Sequence, residues 1–405
     1  MEVMRRTTKT LYLTATMLLM ANVLLAQNVW EPKSDMPTAR KEIADAATVL
    51  NGKIYVLGGT NSSGVISDVF EMYDPATNSW TTLAPYPLSV WRASMEALNG
   101  KIYAMGGYES LNPFPFSPTD KAYSYDPGTN VWTTIQDMLV TRGSASSVVL
   151  DGNIHLMGGA NNDALDSHHK YDPGTNSWST VATLIQKRSG LTAAVLNGKI
   201  YATGGYFLSG GVVSLSSAEV YDPGTNSWSS ISSMPFTKLG TSSGVIQNKM
   251  YVFGNENSTD VLEYNPSTDI WTELVAMPEN VNFAGAATFN DLIYVIGGGE
   301  VNLNTDGIAA MNCFNPVVLG INDFDALASV ILYPNPSTGI INLRLEQPAV
   351  SLRIINVLGE VIEASNLVAG QNNHSIELPY PDGLYFVEVQ FDNGKRTSKK
   401  LILKR

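Results

Sequence analysis

The sequence predicts an all-β fold: a six-bladed β-propeller closed by an N-terminal strand, followed by a small C-terminal β-sandwich. Three observations predict it. A glycine pair ends an apolar run at Gly58-Gly59, Gly106-Gly107, Gly158-Gly159, Gly204-Gly205 and Gly297-Gly298, with a degenerate Gly254-Asn255 in the fifth slot. An aromatic-Asp/Asn-Pro turn follows each pair, at Tyr73, Tyr125, Tyr171, Tyr221, Tyr264 and Phe314. A Trp comes within seven residues of the first five turn aromatics, at Trp80, Trp132, Trp178, Trp228 and Trp271. The sixth turn has none, and an unassigned Trp30 precedes the first glycine pair.

A period of about 45–50 residues carrying four short strands reads as a propeller blade, because one such sheet cannot bury both faces alone. In each copy the first strand runs into an Asn-Gly or Asp-Gly turn, at 51–52, 99–100, 151–152 and 197–198, the strongest short hairpin signal. The second strand ends at the glycine pair, the third at the turn aromatic, and the fourth carries the Trp. The segment DPGTNSW, at 172–178 and 222–228, supplies Pro and Gly for the turn between the last two.

The Gly-Gly, Tyr-Asp-Pro and Trp pattern resembles the kelch repeat, over about residues 30–316. Kelch propellers commonly close their ring with a strand from the opposite terminus. The resemblance therefore implies that about residues 28–32 form the fourth strand of the last blade, with Trp30 in the vacant position.

Composition bounds the function classes. Residues 27–325 hold 14 basic against 29 acidic side chains within a net charge of −12, so nothing resembles a basic stripe and nucleic-acid binding is disfavoured. The lone Cys313 excludes an internal disulfide and reads as a small buried hydrophobe. Residues 1–26 read as a secretory signal, with Arg5, Arg6 and Lys9 before an apolar stretch and cleavage expected between Ala26 and Gln27. No further transmembrane candidate is apparent, and a monomer is expected.

Residues 317–329 read as a linker after a propeller spanning 27–316, and 330–405 as a second domain of short alternating strands. This segment looks like the C-terminal sorting domain of proteins exported by the type IX secretion system of Bacteroidetes. The residues that match are Tyr333-Pro334-Asn335-Pro336 with Gly339, then Pro381-Asp382-Gly383-Leu384-Tyr385, then Lys399-Lys400 in the final strand. The resemblance implies handling by the type IX secretion machinery and release from the cell or display on its outer-membrane surface.

The longer connections, between second and third strands and between blades, share one face of the ring and are expected to carry function. A cation recurs in the connections between blades, at Arg40, Arg92, Arg142, Arg188 and Lys238, with Asn282 in the sixth slot. Interleaved with Trp91, Tyr108, Phe114, Tyr206 and Phe207, these arginines form a candidate ring for a glycan or peptide ligand, since Arg binds carboxylates bidentately. The alternative is that each Arg pairs with acids of neighbouring blades.

Glu96 stands alone. Its equivalents, counted from the turn, are Thr48, Val148, Ala194, Gly244 and Ala287, so one carboxyl enters an innermost position otherwise small or apolar. It is a weak catalytic candidate or a solvated channel residue. His155 replaces a recurrent strand Tyr, and the adjacent His168 and His169 point to opposite faces, which disfavours a shared metal. No metal or cofactor is expected.

The reading is a secreted binding module for a glycan or protein. The alternative is a carbohydrate-active enzyme of the sialic acid mutarotase type, in which Glu96 is general acid or base and an Arg holds a sugar carboxylate. The copper radical oxidases among kelch-like propellers are excluded because the chain lacks their Cys-Tyr pair and His ligands.

Overall fold

The computed structural model describes residues 29–110, 116–255, 258–299, 309–316, 330–345, 348–356, 361–367, 371–392 and 396–405. The chain divides into two compact units, 1–317 and 318–405. The signal segment with its cleavage position, and the expected linker, lie outside the described residues.

The first unit is a ring of six antiparallel four-stranded sheets. Blade 1 runs outward from Ala47–Leu50 through Lys53–Leu57 and Phe70–Asp74 to Ser79–Thr82, and blades 2 to 5 repeat this order. Neighbouring innermost strands touch all the way round. Blade 6 takes Gly285–Phe289, Leu292–Ile296 and Met311–Asn315 from the end of the unit, and Val29–Lys33 from its start. Trp30 pairs with Phe314 in the register that pairs Trp80 with Tyr73 and Trp132 with Tyr125. It therefore fills the sixth Trp position.

The glycine pairs exist because blades approach each other there. A Cβ on Gly58, Gly106, Gly158, Gly204 or Gly297 would lie 2.5–2.7 Å from a backbone carbonyl of the next blade, and all five have positive φ. The second glycine of each pair donates its N–H to that same carbonyl: Gly59 to Val90, Gly107 to Arg142, Gly159 to Arg188, Gly205 to Lys238 and Gly298 to Arg40.

A second set of bonds links blades at the rim. The indole N–H of Trp80, Trp132, Trp178, Trp228 and Trp271 donates to the carbonyl of Ser34, Ala84, Gln136, Ala182 and Ser232 respectively, each just past the outer strand of the preceding blade. Asn78, Asn130, Asn176, Asn226 and Asp269 accept from the backbone N–H of those same residues and from the turn Tyr of their own blade. The Asn of the turn thus holds two blades together. The buried Nε1 of Trp30 has no partner among the described residues. Its ring is held by packing, 4.9 Å from Phe314 and 5.7 Å from Phe253 between centroids.

The second unit has two antiparallel sheets, of Val330–Tyr333, Ile340–Leu345 and Asn373–Glu377, and of Val361–Asn366, Ala349–Asn356, Gly383–Phe391 and Arg396–Leu403. Ile341, Leu343, Ile354, Val387, Val389 and Leu401, drawn from both, form one buried cluster.

Because the Trp30 ring is held by packing and its N–H has no acceptor among the described residues, Trp80→Phe is expected to destabilise the propeller by about 1 kcal/mol more than Trp30→Phe. Trp30→Ala, which empties the site, should cost about 3–5 kcal/mol. Denaturant unfolding followed by tryptophan fluorescence measures both differences; equal effects of the two Phe variants contradict the rim-bond account.

Candidate functional site

Of the recurrent cations, all but Arg92 are turned away from a channel mouth. Arg40, Arg142, Arg188 and Lys238 are all 0–1% exposed. Arg40 donates to the Gly58 and Val69 carbonyls and to Glu71 at 2.6 Å; Arg188 donates to the Gly204 and Ser217 carbonyls and to Glu219 at 2.6 Å. Arg142 makes the same two carbonyl contacts, with Gly158 and Ser167, and meets His169 Nδ1 at 3.0 Å. Lys238 reaches the Gly254 and Asp260 carbonyls. The ligand-binding expectation for Arg40, Arg142 and Arg188 is therefore corrected: their guanidinium NH groups meet backbone carbonyls and side chains of their own blades, and not the acids of neighbouring blades that the alternative from sequence expected.

The carbonyl contacts also reassign the series. The residues whose carbonyls lie against the glycine pairs are Arg40, Val90, Arg142, Arg188, Lys238 and Val281, so Arg92 and Asn282 are not members. The partner position in the third strand follows the cation. It is Glu71, His169 and Glu219 in the three Arg blades, and Tyr123 and Asn312 opposite Val90 and Val281. At this position a buried carboxylate appears only where a buried guanidinium meets it, as the cost of burying an unpaired charge requires.

Arg92 belongs to a different ring. Glu42, Arg92, Ser144, Gly190, Gly240 and Phe283 all have positive φ and stand where each chain segment turns into its innermost strand. Their backbones form a closed circle of hydrogen bonds. Arg92 N–H donates to Glu42, Ser144 to Arg92, Gly190 to Ser144, Gly240 to Gly190, and Phe283 to Gly240, while Ala44 completes it by donating to Phe283, all at 2.8–2.9 Å. Side chains then fill the mouth. The Phe283 ring lies where side chains on Gly190 and Gly240 would be, the Arg92 guanidinium stacks 3.3 Å from the Phe283 centroid, and Arg92 Nε donates to Glu42.

Of the expected aromatics, Trp91 and Tyr108 are buried, tilted against each other with centroids 4.9 Å apart and with Phe116 edge-on to both. They support the mouth and do not present a free ring, which corrects their expected role as ligand contacts. Tyr206 is half-buried and begins a hairpin, Tyr206–Leu208 with Val212–Ser214, that carries exposed Leu208, Val212 and Val213. Phe114 lies outside the described residues.

Below the mouth is a channel of about 370 Å³ lined by the innermost strands of all six blades. Ala44, Thr241 and Ser242 at the ring end are buried, whereas Val49, Ala97, Val149, Val195, Val245 and Thr288 toward the Asn-Gly turns are half-buried. The channel is accordingly covered at the ring and accessible from the turn face.

Glu96 stands in this channel, opposite Tyr103 in the register that pairs Thr48, Val148, Ala194, Gly244 and Ala287 with their own second strands. It does not meet Arg92, whose carboxylate partner is Glu42. Its neighbour is Asp45. Asp45 accepts from Ser147 N–H at 2.7 Å, Ser147 Oγ at 2.8 Å and Ser146 Oγ at 3.2 Å, and Ser147 Oγ also lies 3.3 Å from Glu96. Burial raises Glu96 to about 8, reinforced by the Asp45 charge, and raises Asp45 to about 7 against the pull of its hydroxyl and amide donors. Near neutrality the two titrate as a pair.

Sequence reasoning missed Asp45, although a signal existed. Arg40 stands eleven residues before its turn Asn51, whereas Arg142, Arg188 and Lys238 stand nine before Asp151, Asn197 and Gln247. Blade 1 thus carries two extra residues between ring and strand, and Asp45 lies in the resulting bulge. The same count separates Arg92, only seven residues before Asn99, from the cation series.

The histidines are structural. His155 Nδ1 lies 2.9 Å from His168 Nε2 in the core of blade 3, with His169 on the other side against Arg142. Burial lowers His155 to about 4, His168 to about 3 and His169 to about 4.

In the second unit, Asn335 ties the Tyr-Pro-Asn-Pro motif to the last strand: its Nδ2 donates to the Lys400 carbonyl at 2.6 Å and its Oδ1 accepts from Ile402 N–H at 2.9 Å. Tyr333, Pro334, Pro336 and Lys400 are exposed beside it. Gly339 has φ +131, and an added Cβ would stand 3.5 Å from Arg405. Tyr385 donates to the Pro381 carbonyl, spanning Gly383.

Residues 17–186 match the family described as KLHDC2/KLHL20/DRC7 Kelch-repeats domain, 187–235 match the Kelch motif, and 331–404 match the secretion system C-terminal sorting domain. The chain is a kelch-repeat protein with a C-terminal secretion sorting domain. Blade 5 and the three inner strands of blade 6 lie beyond the kelch matches, whereas the outer strand of blade 6, with Trp30, falls within the first. Similar curated proteins include Kelch-like protein terF of Aspergillus terreus, 31% identical over 28% of this chain and 26% of its own length. Beta-scruin of Limulus polyphemus is 31% identical over 34% of this chain and 15% of its own, and Kelch-like protein 25 of Rattus norvegicus is 32% identical over 32% and 22%. The chain spans about a quarter or less of these relatives. The structure titled Structure of YjhT superposes with TM-score 0.60 at 15% identity, covering 70% of this chain and 97% of that one, a likeness of fold.

The buried ion pairs predict that Arg188→Met costs about 3–5 kcal/mol by leaving Glu219 without its cation, whereas Arg188→Met with Glu219→Met together recovers only part of this, because the Ile185 and Gln186 backbone N–H groups lose the carboxylate they donate to. Urea unfolding of the three proteins measures this. The histidine trio predicts acid sensitivity with a defined window. The unfolded chain takes up protons below about pH 6.5, which the native core refuses until about pH 4, so stability falls as pH drops across that interval. Replacing His155→Tyr and His168→Phe, the pair that occupies these positions in blade 1, should flatten the fall in Tm between pH 6.5 and 4.5; an unchanged slope contradicts the assignment.

Proposed function

We propose that the propeller is an exported recognition module whose glycan or protein ligand is met on the face of the long connections. The sorting domain supports export to the cell surface or secretion. The observation that carries recognition is the blade 4 hairpin, which lifts Leu208, Val212 and Val213 into solvent beside the filled mouth, at 37%, 62% and 37% exposure. Adjacent exposed apolar side chains on a connection held by a rigid ring are the ordinary makings of a contact surface. The half-buried Tyr206 and Phe207, the latter under the Lys187 ammonium, flank them.

The mutarotase-like alternative needs an Arg beside the channel carboxyl to hold a sugar carboxylate. Arg40, Arg142 and Arg188 are committed to their blades and Arg92 to Glu42, and no Arg is among the described residues lining the channel, so the binding reading is preferred.

For export, the reading is handling by type IX secretion machinery followed by release or surface attachment. In a host with that machinery, deletion of 396–405 or Asn335→Ala should retain the protein in the periplasm, and immunoblots of culture fluid, surface and periplasm read this out. For recognition, the propeller is screened on a glycan array and against extracellular protein extracts. Leu208→Ser with Val212→Ser and Val213→Ser should lower the affinity of any ligand found by at least tenfold without changing Tm. Unaltered binding overturns the hairpin assignment.

A further inference from the structure

One guanidinium of the propeller is only partly used. Arg92 donates through Nε to Glu42, Nη1 has Ser144 Oγ at 3.5 Å, the outer limit of a hydrogen bond, and Nη2 has no acceptor among the described residues. The Arg92 side chain is 13% exposed, whereas those of Arg40 and Arg188 are 0% exposed and fully engaged with their own blades. Neither Arg92 nor Glu42 lines the channel, so the unused edge opens on the face of the long connections, outside the plug. A guanidinium carries five N–H donors in a fixed fork, and one largely withdrawn from water with most of them unaccepted calls for an acceptor.

That edge is held in position. The guanidinium carbon packs 3.3 Å from the Phe283 ring centroid and 4.8 Å from that of Trp91, while Glu42 fixes the Nε side. Arg92, Phe283 and Glu42 take φ of +52, +50 and +61, unfavourable for side chains of this size, where Gly190 and Gly240 take the same conformation freely. Such outliers persist only where the surroundings over-determine them, and they cluster at ligand sites. Tyr206 meets the same spot. A Cβ on Gly190 would stand 3.2 Å from both the Tyr206 and the Phe283 rings. The Tyr206 hydroxyl, near enough to Arg92 to influence its charge, has no hydrogen-bond partner among the described residues. Tyr206 also opens the hairpin that carries Leu208, Val212 and Val213, so mouth and hairpin are continuous.

We propose, on the reading that this face is the recognition surface, that the mouth receives the carboxylate of an acidic side chain in an extended peptide segment of the partner. Its two oxygens accept from Arg92 Nη1 and Nη2, the Tyr206 hydroxyl donates to one of them, and aliphatic residues beside the acid lie on Leu208, Val212 and Val213. The end of the fork matches a planar carboxylate through two parallel bonds, and a guanidinium already packed on aromatic rings loses little freedom in making them. Glu42 occupies the Nε side, which leaves the Nη1–Nη2 end as the one open to a second carboxylate. Three adjoining aliphatic side chains suit the apolar residues of a peptide, whereas the hydroxyls of an acidic sugar would lose water there without a partner.

The test is calorimetric titration of the full chain with the peptide acetyl-Leu-Glu-Val-Leu-amide, its Gln counterpart as the neutral isostere, and N-acetylneuraminic acid as a sugar carboxylate. Saturable binding of the Glu peptide is expected, with the Gln peptide weaker by about tenfold or more and no binding of the sugar acid. Tyr206→Phe, which keeps the ring against Phe283, should weaken the Glu peptide by roughly threefold to tenfold without changing Tm. Arg92→Lys, which keeps the charge and loses the fork, should remove most of the preference for Glu over Gln. Equal affinity for the two peptides, preferential binding of the sugar acid, an undiminished Glu preference in the Arg92→Lys protein, or no saturable heat with the Glu peptide up to about 10 mM each overturns the proposal. The comparison of Glu with Gln on the unaltered protein decides the matter independently of any variant. Serine at 208, 212 and 213 should weaken both peptides alike and preserve their ratio, so a lost ratio marks failure at the mouth and a lost hairpin effect marks failure of the recognition reading.

Discussion

Everything in the propeller depends on one backbone contact, repeated between blades: a carbonyl at the start of each innermost strand seated against the glycine pair of the blade before it. The contact is short enough that a β-carbon would collide with it, so glycine is required on one side. On the other side the residue owning that carbonyl is held by its side chain, which in four blades is a cation bonded to carbonyls at the glycine end of its own second strand. One residue thus binds its own blade through its side chain and its neighbour through its backbone. The rim bonds of Trp and Asn repeat the arrangement farther out, which is why a ring without a disulfide is tied at two radii.

The seam at blade 6 differs in kind. Its outer strand arrives from the far end of the unit, no Tyr-Asp-Pro-Gly-Thr-Asn turn precedes it, and among the described residues the Trp30 indole N–H has no acceptor like those of its counterparts. Aromatic packing against Phe253 and Phe314 takes the place of the rim bonds. The seam is closed by shape where the others are also closed by hydrogen bonds.

Sixfold repetition also makes departures from it informative. Four blades use a buried cation and two use Val, and the third-strand partner changes with it. Three histidines occupy the core of blade 3 where blade 1 has Tyr, Phe and Glu. Two extra residues in blade 1 bring the Asp45 carboxyl into the channel on the side of Glu96. In the second unit the exposed Tyr-Pro-Asn-Pro motif and the exposed Lys of the terminal strand are one surface, because Asn335 bonds the backbone of both residues flanking Leu401.

The sequence by itself determined the ring, its six copies, the displaced Trp30 and the second domain, because each rests on local devices: Asn-Gly hairpins, a proline turn, glycines at positive φ. It also isolated Glu96, because a lone carboxyl stands out against five small equivalents. Direction was beyond it. Whether Arg40, Arg142 and Arg188 point outward to a ligand or inward to a glycine carbonyl is settled by which groups lie within reach after blades stack, and a recurring Arg looks the same in both cases. The partnership of Asp45 with Glu96 was equally hidden, since the residues come from different blades and meet only through a serine of a third. What the tertiary structure decided was the pairing of charges across blades, since such distances exist only once the ring is closed.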